Sequence, residues 1–238
     1  MFRIIRLLLS ANEKNSLSNF EGKNSQRNSV MCELKKYTGK DAKIDGSKVS
    51  DSWFPEIDSD VFISHSHENE KLALGLKYEI EKNTFHKCFV DSSVWGNSAD
   101  LLKDIDEEYC CSGTNIYNYN ERNYSTSHVH MMLSVALQKM IFKSNFVIFL
   151  DTPESISVKE TVAFKTFSPW IYSEISTAIQ LYNFQSKLKN EIQKSLLSEE
   201  KQFSKLQMSY SFDLSNFENI KSLKNLLNIL GKKAESDL

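Results

Sequence analysis

From residue 60 onward, the hydrophobic pattern alternates short apolar runs with stretches of helical spacing. Residues 60–64 (DVFIS) form an apolar run without helical spacing, which indicates a strand buried on both faces of a parallel sheet. In residues 68–83, apolar positions recur at helical spacing among charged residues, and this predicts a helix. Residues 88–91 (CFVD) predict a second strand, and the apolar positions within 101–105 predict a helix after it.

A third strand–helix unit extends this pattern. The spacing predicts a helix over 126–142, followed by the most apolar strand at 145–150 (NFVIFL). Three such units with short connections predict an α/β fold, a flavodoxin-like doubly wound parallel sheet of four to five strands flanked by helices. Ligands of such sheets bind outside the carboxyl ends of the strands, so we expect the site near Ser64, Asp91 and Asp151. The apolar stripe of the third helix consists of Met131, Met132, Val135, Ala136 and Met140.

The two ends of the chain have weaker patterns. Residues 10–50 are rich in Ser, Asn, Lys and Gly, so we expect residues 1–54 to form an N-terminal arm or linker and 55–238 to form the domain. The first nine residues (MFRIIRLLL) resemble a leader only faintly, because Arg6 interrupts the apolar run, and an amphipathic terminal element is expected. Toward the C-terminus, the pattern predicts a helix beginning near Pro169, a charged helix over 184–206, a strand over 207–214 and a final helix over 220–230.

Composition excludes several classes of function. The chain has 29 Lys and Arg against 31 Asp and Glu, a net charge of −2, and no dense basic stripe, so nucleic acid is not an expected partner. No uncharged apolar run reaches the roughly 18 residues that a membrane-spanning helix needs. The four cysteines have no CxxC spacing, and we expect reduced thiols and a cytoplasmic location. Seven glycines without a GxGxxG or P-loop pattern exclude the usual nucleotide-binding turns.

Two histidine pairs are the only candidate metal ligands. His65 and His67 are two residues apart, as are His128 and His130, and on a strand each pair would share one face. No cysteine or carboxylate accompanies either pair at a known metal-binding spacing. We therefore expect polar loop histidines and no metal.

Three short motifs resemble the Toll/interleukin-1 receptor (TIR) domain family. Residues 60–67 (DVFISHSH) resemble its first strand and following loop, and 91–96 (DSSVWG) resemble its second strand and mobile loop. Residues 168–174 (SPWIYSE) resemble the SxW…E helix, whose glutamate is catalytic in the family members that cleave NAD+. The resemblance covers about residues 55–232.

The chain also departs from the family's pattern. Insertions are expected around 109–128 and 151–167. The chain runs into helix after Glu174, where a fourth strand is usual. The sheet is therefore expected to have four strands, or to have one strand displaced.

The resemblance implies an enzyme of the prokaryotic antiviral-defence (Thoeris-like) type. Such a protein is an NAD+ nucleosidase or ADP-ribosyl cyclase, with NAD+ as substrate and no further cofactor. It would act as a homo-oligomer and would make an ADP-ribose-derived signal for a separate effector protein. Free ADP-ribose, a cyclic isomer and an ADP-ribose conjugate all stay open as products.

The residues of the expected site follow from the same motifs. Glu174 is the expected catalytic residue, and Trp170, four residues earlier, shares its helical face, so that an aromatic ring and a carboxylate can meet one ribose and nicotinamide. Nicotinamide leaves NAD+ as a neutral molecule, so one carboxylate is sufficient and a general acid is not required. The expected substrate-binding residues are Ser64, His65, Asp91, Trp95, Ser168 and Trp170.

Two further interpretations compete with an enzyme. A non-enzymatic TIR adaptor would use the same fold for homotypic assembly and would not need the carboxylate of Glu174. A phosphoacceptor receiver domain could use Asp91, but the chain lacks a convincing acidic pair and a lysine at a late strand end. For Trp95, a packed interface aromatic is as well supported as a residue that covers a base.

Overall fold

The computed structural model describes residues 2–19, 44–95, 98–113, 116–155, 158–159, 164–166, 168–191, 210–212 and 214–231. The chain divides into two compact units. The first consists of Met1–Phe20, Ser59–Cys88 and Ile141–Leu238, and the second of Glu21–Asp58 and Phe89–Met140. Among the residues described, no helix is long and apolar enough to cross a membrane.

A five-stranded sheet forms the centre of the fold, and its paired strands run parallel where the register is defined. The strands are β1 (Arg3–Leu7), β2 (Val61–Ser64), β3 (Cys88–Phe89), β6 (Phe146–Leu150) and β10 (Glu218–Ile220). Their order in the sheet is β10-β1-β6-β2-β3. With helices flanking it, this sheet confirms the predicted flavodoxin-like α/β fold and has the larger of the two expected strand numbers.

The N-terminal strand is an interior strand of this sheet, between β10 and β6. In β1, Ile5 is paired with Ile148 of β6 on one side and with Glu218 of β10 on the other. The prediction of an arm over residues 1–54 is therefore wrong for β1 and for the helix after it, α1 (Ala11–Ser18). Ile4, Ile5 and Leu7 are buried, at 1, 0 and 1% exposure, because β1 contributes to both faces of the sheet.

The position of β1 explains how the sheet has five strands although the chain continues into helix after Glu174, where the fourth strand was expected. A flavodoxin-like sheet has the order 2-1-3-4-5. Written as β3-β2-β6-β1-β10, the observed sheet has its second, first, third and fifth positions filled in the usual sequence order. The N-terminal strand β1 fills the fourth position. This position of the sheet is therefore occupied, but by a strand from the beginning of the chain instead of one that follows Glu174.

The helices of the first unit lie close to the sequence predictions. The 3₁₀ turn His67–Asn69 leads into α3 (Glu70–Asn83), which packs against α1. Helix α7 (Pro169–Glu191) begins at the predicted proline and continues without a break through 184, where a separate helix was predicted. Helix α8 (Leu223–Leu230) begins at the cap Ser222, whose hydroxyl accepts from the backbone N–H of Asn225.

A small antiparallel sheet accompanies the parallel one in the first unit. It joins β7 (Val158–Lys159), β8 (Phe164–Thr166) and β9 (Tyr210–Phe212), with β8 in the middle. Two of these strands belong to the expected insertion at 151–167. The strand predicted over 207–214 is present as β9, but it belongs to this sheet and the fifth parallel strand is β10. Most of the predicted helix over 184–206 lies outside the described residues beyond Glu191.

The second unit is mainly helical among its described residues. Its elements are α2 (Gly46–Trp53), α4 (Asp91–Val94), α5 (Ser98–Ile105), a π-helical turn (Asp106–Cys110), β4 (Cys111–Gly113), β5 (Ile116–Tyr117) and α6 (Tyr119–Lys143). The expected insertion at 109–128 contains the end of the π-helical turn, the antiparallel pair β4 and β5, and the first turns of α6, which begins at Tyr119 instead of 126. The predicted arm includes the helix α2, and residues 20–43 lie outside the described part.

Candidate functional site

A buried serine–carboxylate pair marks the carboxyl edge of the parallel sheet. Ser64 is the last residue of β2, and its Oγ donates to Glu174 Oε2 over 2.6 Å. Ser64 is 1% exposed and Glu174 6% exposed, so this hydrogen bond joins two groups that are almost entirely removed from water. A carboxylate in such surroundings needs hydrogen-bond partners, and Ser64 supplies one of them. The structure thus brings together the expected catalytic residue and an expected substrate-binding residue.

Helix α7 positions Glu174 beside the sheet. Ser168 is its N-cap, because the Ser168 hydroxyl accepts from the Ile171 N–H at 3.3 Å, and Pro169 occupies the first helical position. The helix packs against β1, which fixes the side of the helix that bears Glu174. Trp170, one turn before Glu174, is partly exposed. Ser168 therefore acts in the structure as a helix cap.

A second buried charge lies at the same edge of the sheet. Asp151 directly follows β6, the neighbour of β2, and its Oδ2 accepts from Arg6 Nε at 2.7 Å and from Arg6 Nη2. The two side chains are 12% and 5% exposed for Arg6 and Asp151. Buried ion pairs are costly to break because removal of one partner leaves an uncompensated charge. This pair therefore attaches the N-terminal strand to the carboxyl end of β6.

Polar side chains connect the loops that follow β2 and β6. The Asn69 amide Nδ2 lies 2.5 Å from Ser66 Oγ, 2.9 Å from Thr152 Oγ1 and 3.2 Å from Glu154 Oε2. The Thr152 hydroxyl also bonds Ser155 Oγ at 2.9 Å. The pKa of Glu154 lies below its usual value, first because of its own backbone N–H and then because of the Asn69 amide. The network holds the two loops together at the edge where Ser64 and Glu174 meet.

The histidines after β2 occupy loop positions. His65 Nδ1 lies 3.4 Å from the carbonyl oxygen of Ile63 and the residue is partly buried, whereas His67 begins the turn that leads into α3 and is exposed. Among the residues that the structure describes, no three His, Cys, Asp or Glu side chains form a group suited to a metal ion.

Asp91 and Trp95 belong to the second unit. Asp91 begins α4, and its Oδ1 accepts from the Ser92 N–H at 2.8 Å. Trp95 is 4% exposed, its indole N–H donates to the Pro55 carbonyl at 2.9 Å, and its ring makes edge-to-face contacts with Phe54 and Phe89. Trp95 is therefore a core aromatic of this unit in the structure, and covering a base would first require its release.

Sequence reasoning missed several polar residues of this edge. The sequence pattern places Arg6 in an amphipathic terminal element, whereas in the structure it belongs to the strand 3–7 (RIIRL) of the parallel sheet. Asn69 and Thr152 carry no sequence signal of their own, because their role arises only when β2 and β6 become neighbours. Their position in the segments that follow two predicted strands was the available signal.

Comparison of the chain with protein-family models, with curated proteins and with solved structures gave no match. Inference about function therefore depends on the fold and on the geometry at the carboxyl edge of the sheet. At that edge, the structure places a buried carboxylate with a hydroxyl partner, a buried ion pair and a polar network.

Proposed function

We propose that this chain cleaves the bond between nicotinamide and ribose in NAD+, with Glu174 as the catalytic residue. The hydrogen bond between Ser64 and Glu174 is the observation that carries the proposal. It joins the first and third of the TIR-like motifs at the edge where flavodoxin-like sheets bind their ligands. A glutamate on the solvent face of α7 would not have supported an enzymatic role.

The chemistry suits a single buried carboxylate. As the bond to nicotinamide breaks, positive charge develops at the anomeric carbon of the ribose, while nicotinamide departs as a neutral molecule. A carboxylate beside the ribose stabilises this charge, and the effect is larger where water is excluded. Glu174 is 6% exposed, which meets that condition, and its bond to Ser64 holds the carboxylate in one orientation.

The other expected residues receive roles within this proposal. Trp170 lies on the face of α7 that bears Glu174 and would pack against the nicotinamide or the ribose. His65 follows β2 and would approach the diphosphate or the adenosine. Ser168 caps α7 and so helps to position Trp170 and Glu174, which both belong to that helix. Asp91 and Trp95 stay predictions as substrate-binding residues, and each belongs to the second unit.

The products and partners extend the proposal. We expect the reaction to release ADP-ribose, a cyclic isomer or an ADP-ribose conjugate as an antiphage signal for a separate effector protein. We also expect assembly into a homo-oligomer, with activity that rises more steeply than the protein concentration. These expectations depend on the resemblance to TIR enzymes, whereas the role of Glu174 also has the support of the buried pair.

The test compares Glu174→Gln with a matched buried carboxylate. Asp106 in the second unit is 4% exposed and accepts hydrogen bonds from Ser125 Oγ and from Arg122 Nε, the latter at 2.9 Å, so Asp106→Asn removes a similar buried charge that has no part in the proposed reaction. Nicotinamide release from NAD+ is measured by chromatography over a wide range of protein concentrations, and circular dichroism checks the fold. We expect Glu174→Gln to lose at least ~100-fold in turnover, as when a preorganised electrostatic group is removed.

The outcomes separate an enzyme from an adaptor. Turnover by the wild type and by Asp106→Asn, with loss in Glu174→Gln, would support the proposal, and the second product would distinguish hydrolysis from cyclisation. Absence of nicotinamide release from the wild type at every concentration would contradict it. Equal release by wild type and Glu174→Gln would also contradict it. Either of these results would favour the non-enzymatic adaptor.

A further inference from the structure

Helix α6 carries apolar residues on two faces, of which one face is buried and the other is exposed. The buried face consists of residues that pack into the protein, among them Val129, Ala136 and Met140 at 0, 3 and 0% exposure. The predicted apolar stripe combined both faces. Met131 and Val135, which belonged to that stripe, are 61 and 42% exposed in the structure.

The exposed face has the spacing of a coiled-coil seam. It is formed by Tyr124, His128, Met131 and Val135, called here the α6 stripe, whose successive intervals are four, three and four residues. This is the a/d spacing with which one helix packs against another. Tyr124 is 69% exposed and its ring stacks edge-to-face on His128, so the stripe presents a continuous surface to solvent. Contiguous exposed apolar surface of this kind marks interaction sites.

We propose that the α6 stripe binds the α6 stripe of a second copy of this chain in antiparallel orientation. The midpoint between Tyr124 and Val135 falls between residues 129 and 130 of the helix. The midpoint between His128 and Met131 falls at the same place. A two-fold axis at that point places Tyr124 against Val135 of the other copy and His128 against its Met131. Each residue then faces a residue that faces it in return, as an isologous interface requires.

Charge beside the stripe favours the same arrangement. Glu121 and Lys139 are 18 residues apart, so at 100° per residue they lie on the same flank of α6, and both are exposed. Their midpoint, residue 130, nearly coincides with the proposed two-fold axis. Antiparallel pairing therefore brings Glu121 of one copy beside Lys139 of the other, where opposite charges attract. Lys139 Nζ also lies 3.2 Å from Glu56 Oε1 in its own unit, and both side chains are about half exposed.

A parallel arrangement does not use these features. In a parallel pair, the flank that bears Glu121 and Lys139 lies on opposite sides of the seam in the two copies, so Glu121 of one copy does not meet Lys139 of the other. The antiparallel arrangement also opposes the two helix dipoles. Self-complementarity in spacing and in charge identifies a second copy as the occupant. The proposal is independent of the proposed reaction at Glu174, since no residue of the stripe belongs to that site.

The test measures the oligomeric state of the full-length chain by sedimentation over a wide concentration range. Met131→Lys places a charge in the centre of the stripe and should weaken dimerisation by at least about tenfold, because it buries an unpaired cation at the interface. Phe85→Lys is the matched control, since Phe85 is 74% exposed in the first unit and should leave dimerisation unchanged. Circular dichroism checks that both variants keep the wild-type fold.

A charge exchange tests the antiparallel register. Glu121→Lys and Lys139→Glu should each weaken the dimer, and the double variant should restore it, because the exchanged charges attract again across the two-fold axis. A wild-type chain that stays monomeric at every concentration would overturn the proposal. So would a dimer that Met131→Lys leaves intact, or charge variants without restoration in the double variant.

Discussion

Replacing Gly75 with alanine tests whether the N-terminal segment is an integral part of the fold. Gly75 lies where α3 crosses α1, and a Cβ at this position would meet the carbonyl oxygen of Leu17 at 2.1 Å and its carbonyl carbon at 2.7 Å. Both atoms belong to the backbone, so no side chain can rotate away. Ordinary contact begins at 3.4 Å, and the helices must therefore separate by about 1.3 Å.

The expected magnitude follows from two opposing effects. Alanine in a helix interior is favoured over glycine by about 1 kcal/mol. Overpacking usually costs roughly 1–3 kcal/mol, and a backbone clash of this depth belongs at the upper end. We therefore expect Gly75→Ala to lower the free energy of unfolding by about 2 kcal/mol net. In a chain of this size, that corresponds to a melting temperature lower by roughly 4–8 °C.

The assay is thermal unfolding followed by circular dichroism, with Gly46→Ala as the control. Gly46 is the first residue of α2, and the nearest atom to its added Cβ is Met132 Cε at 3.2 Å, the end of a flexible side chain. Gly46→Ala should change the free energy of unfolding by less than about 1 kcal/mol. An unchanged or raised melting temperature in Gly75→Ala would refute the close crossing of α1 and α3.

Two further predictions concern protonation and thiol reactivity. The Glu13 carboxylate accepts from the Ser10 hydroxyl at 2.6 Å and from the Leu223 N–H at 3.0 Å, and these bonds, the Ser10 hydroxyl first, lower its pKa. A lowered folded-state pKa gives stability that is present above the unfolded value near 4.5 and is lost as the pH falls through the folded value. The melting-temperature deficit of Glu13→Gln should therefore shrink between about pH 6 and pH 3, and a constant deficit would contradict this. For the thiols, burial raises the pKa of Cys88 well above its usual value, whereas Cys111 is exposed. Iodoacetamide should therefore modify Cys111 before Cys88, and Cys88 only after unfolding, as read by peptide mapping, and equal rates would contradict the burial of Cys88.

The proposed site was partly predictable from short motifs. Ser64 and Glu174 are 110 residues apart and belong to two different motifs, which became distinctive only together with the third. Their hydrogen bond depends on the side of α7 that faces β1 and on the end point of β2. Asn69 and Thr152 could not be predicted as partners, because the contact between their loops exists only after β2 and β6 pair.

Local sequence patterns were sufficient to predict the elements whose signals lie in consecutive or closely spaced residues. The apolar runs at 60–64 and 145–150 predicted β2 and β6, and Pro169 predicted the beginning of α7, since these signals reside in neighbouring residues. Together they were sufficient for the flavodoxin-like class.

Only the tertiary structure decided the place of β1 and the two faces of α6. Residues 3–7 include two arginines, and they form an interior strand in which Arg3 bonds Glu218 and Arg6 bonds Asp151, both more than 140 residues away. In α6, the spacing marks apolar positions, but packing alone decides that Met140 is buried and Met131 exposed. The sequence by itself determined segments with strong local signals, such as β2, β6 and the beginning of α7. Contacts between residues distant in the chain decided that β1 joins the sheet and that one apolar face of α6 stays exposed. The physical reason is that backbone propensity and periodicity act over a few residues, while burial and ion pairing depend on groups that folding brings together.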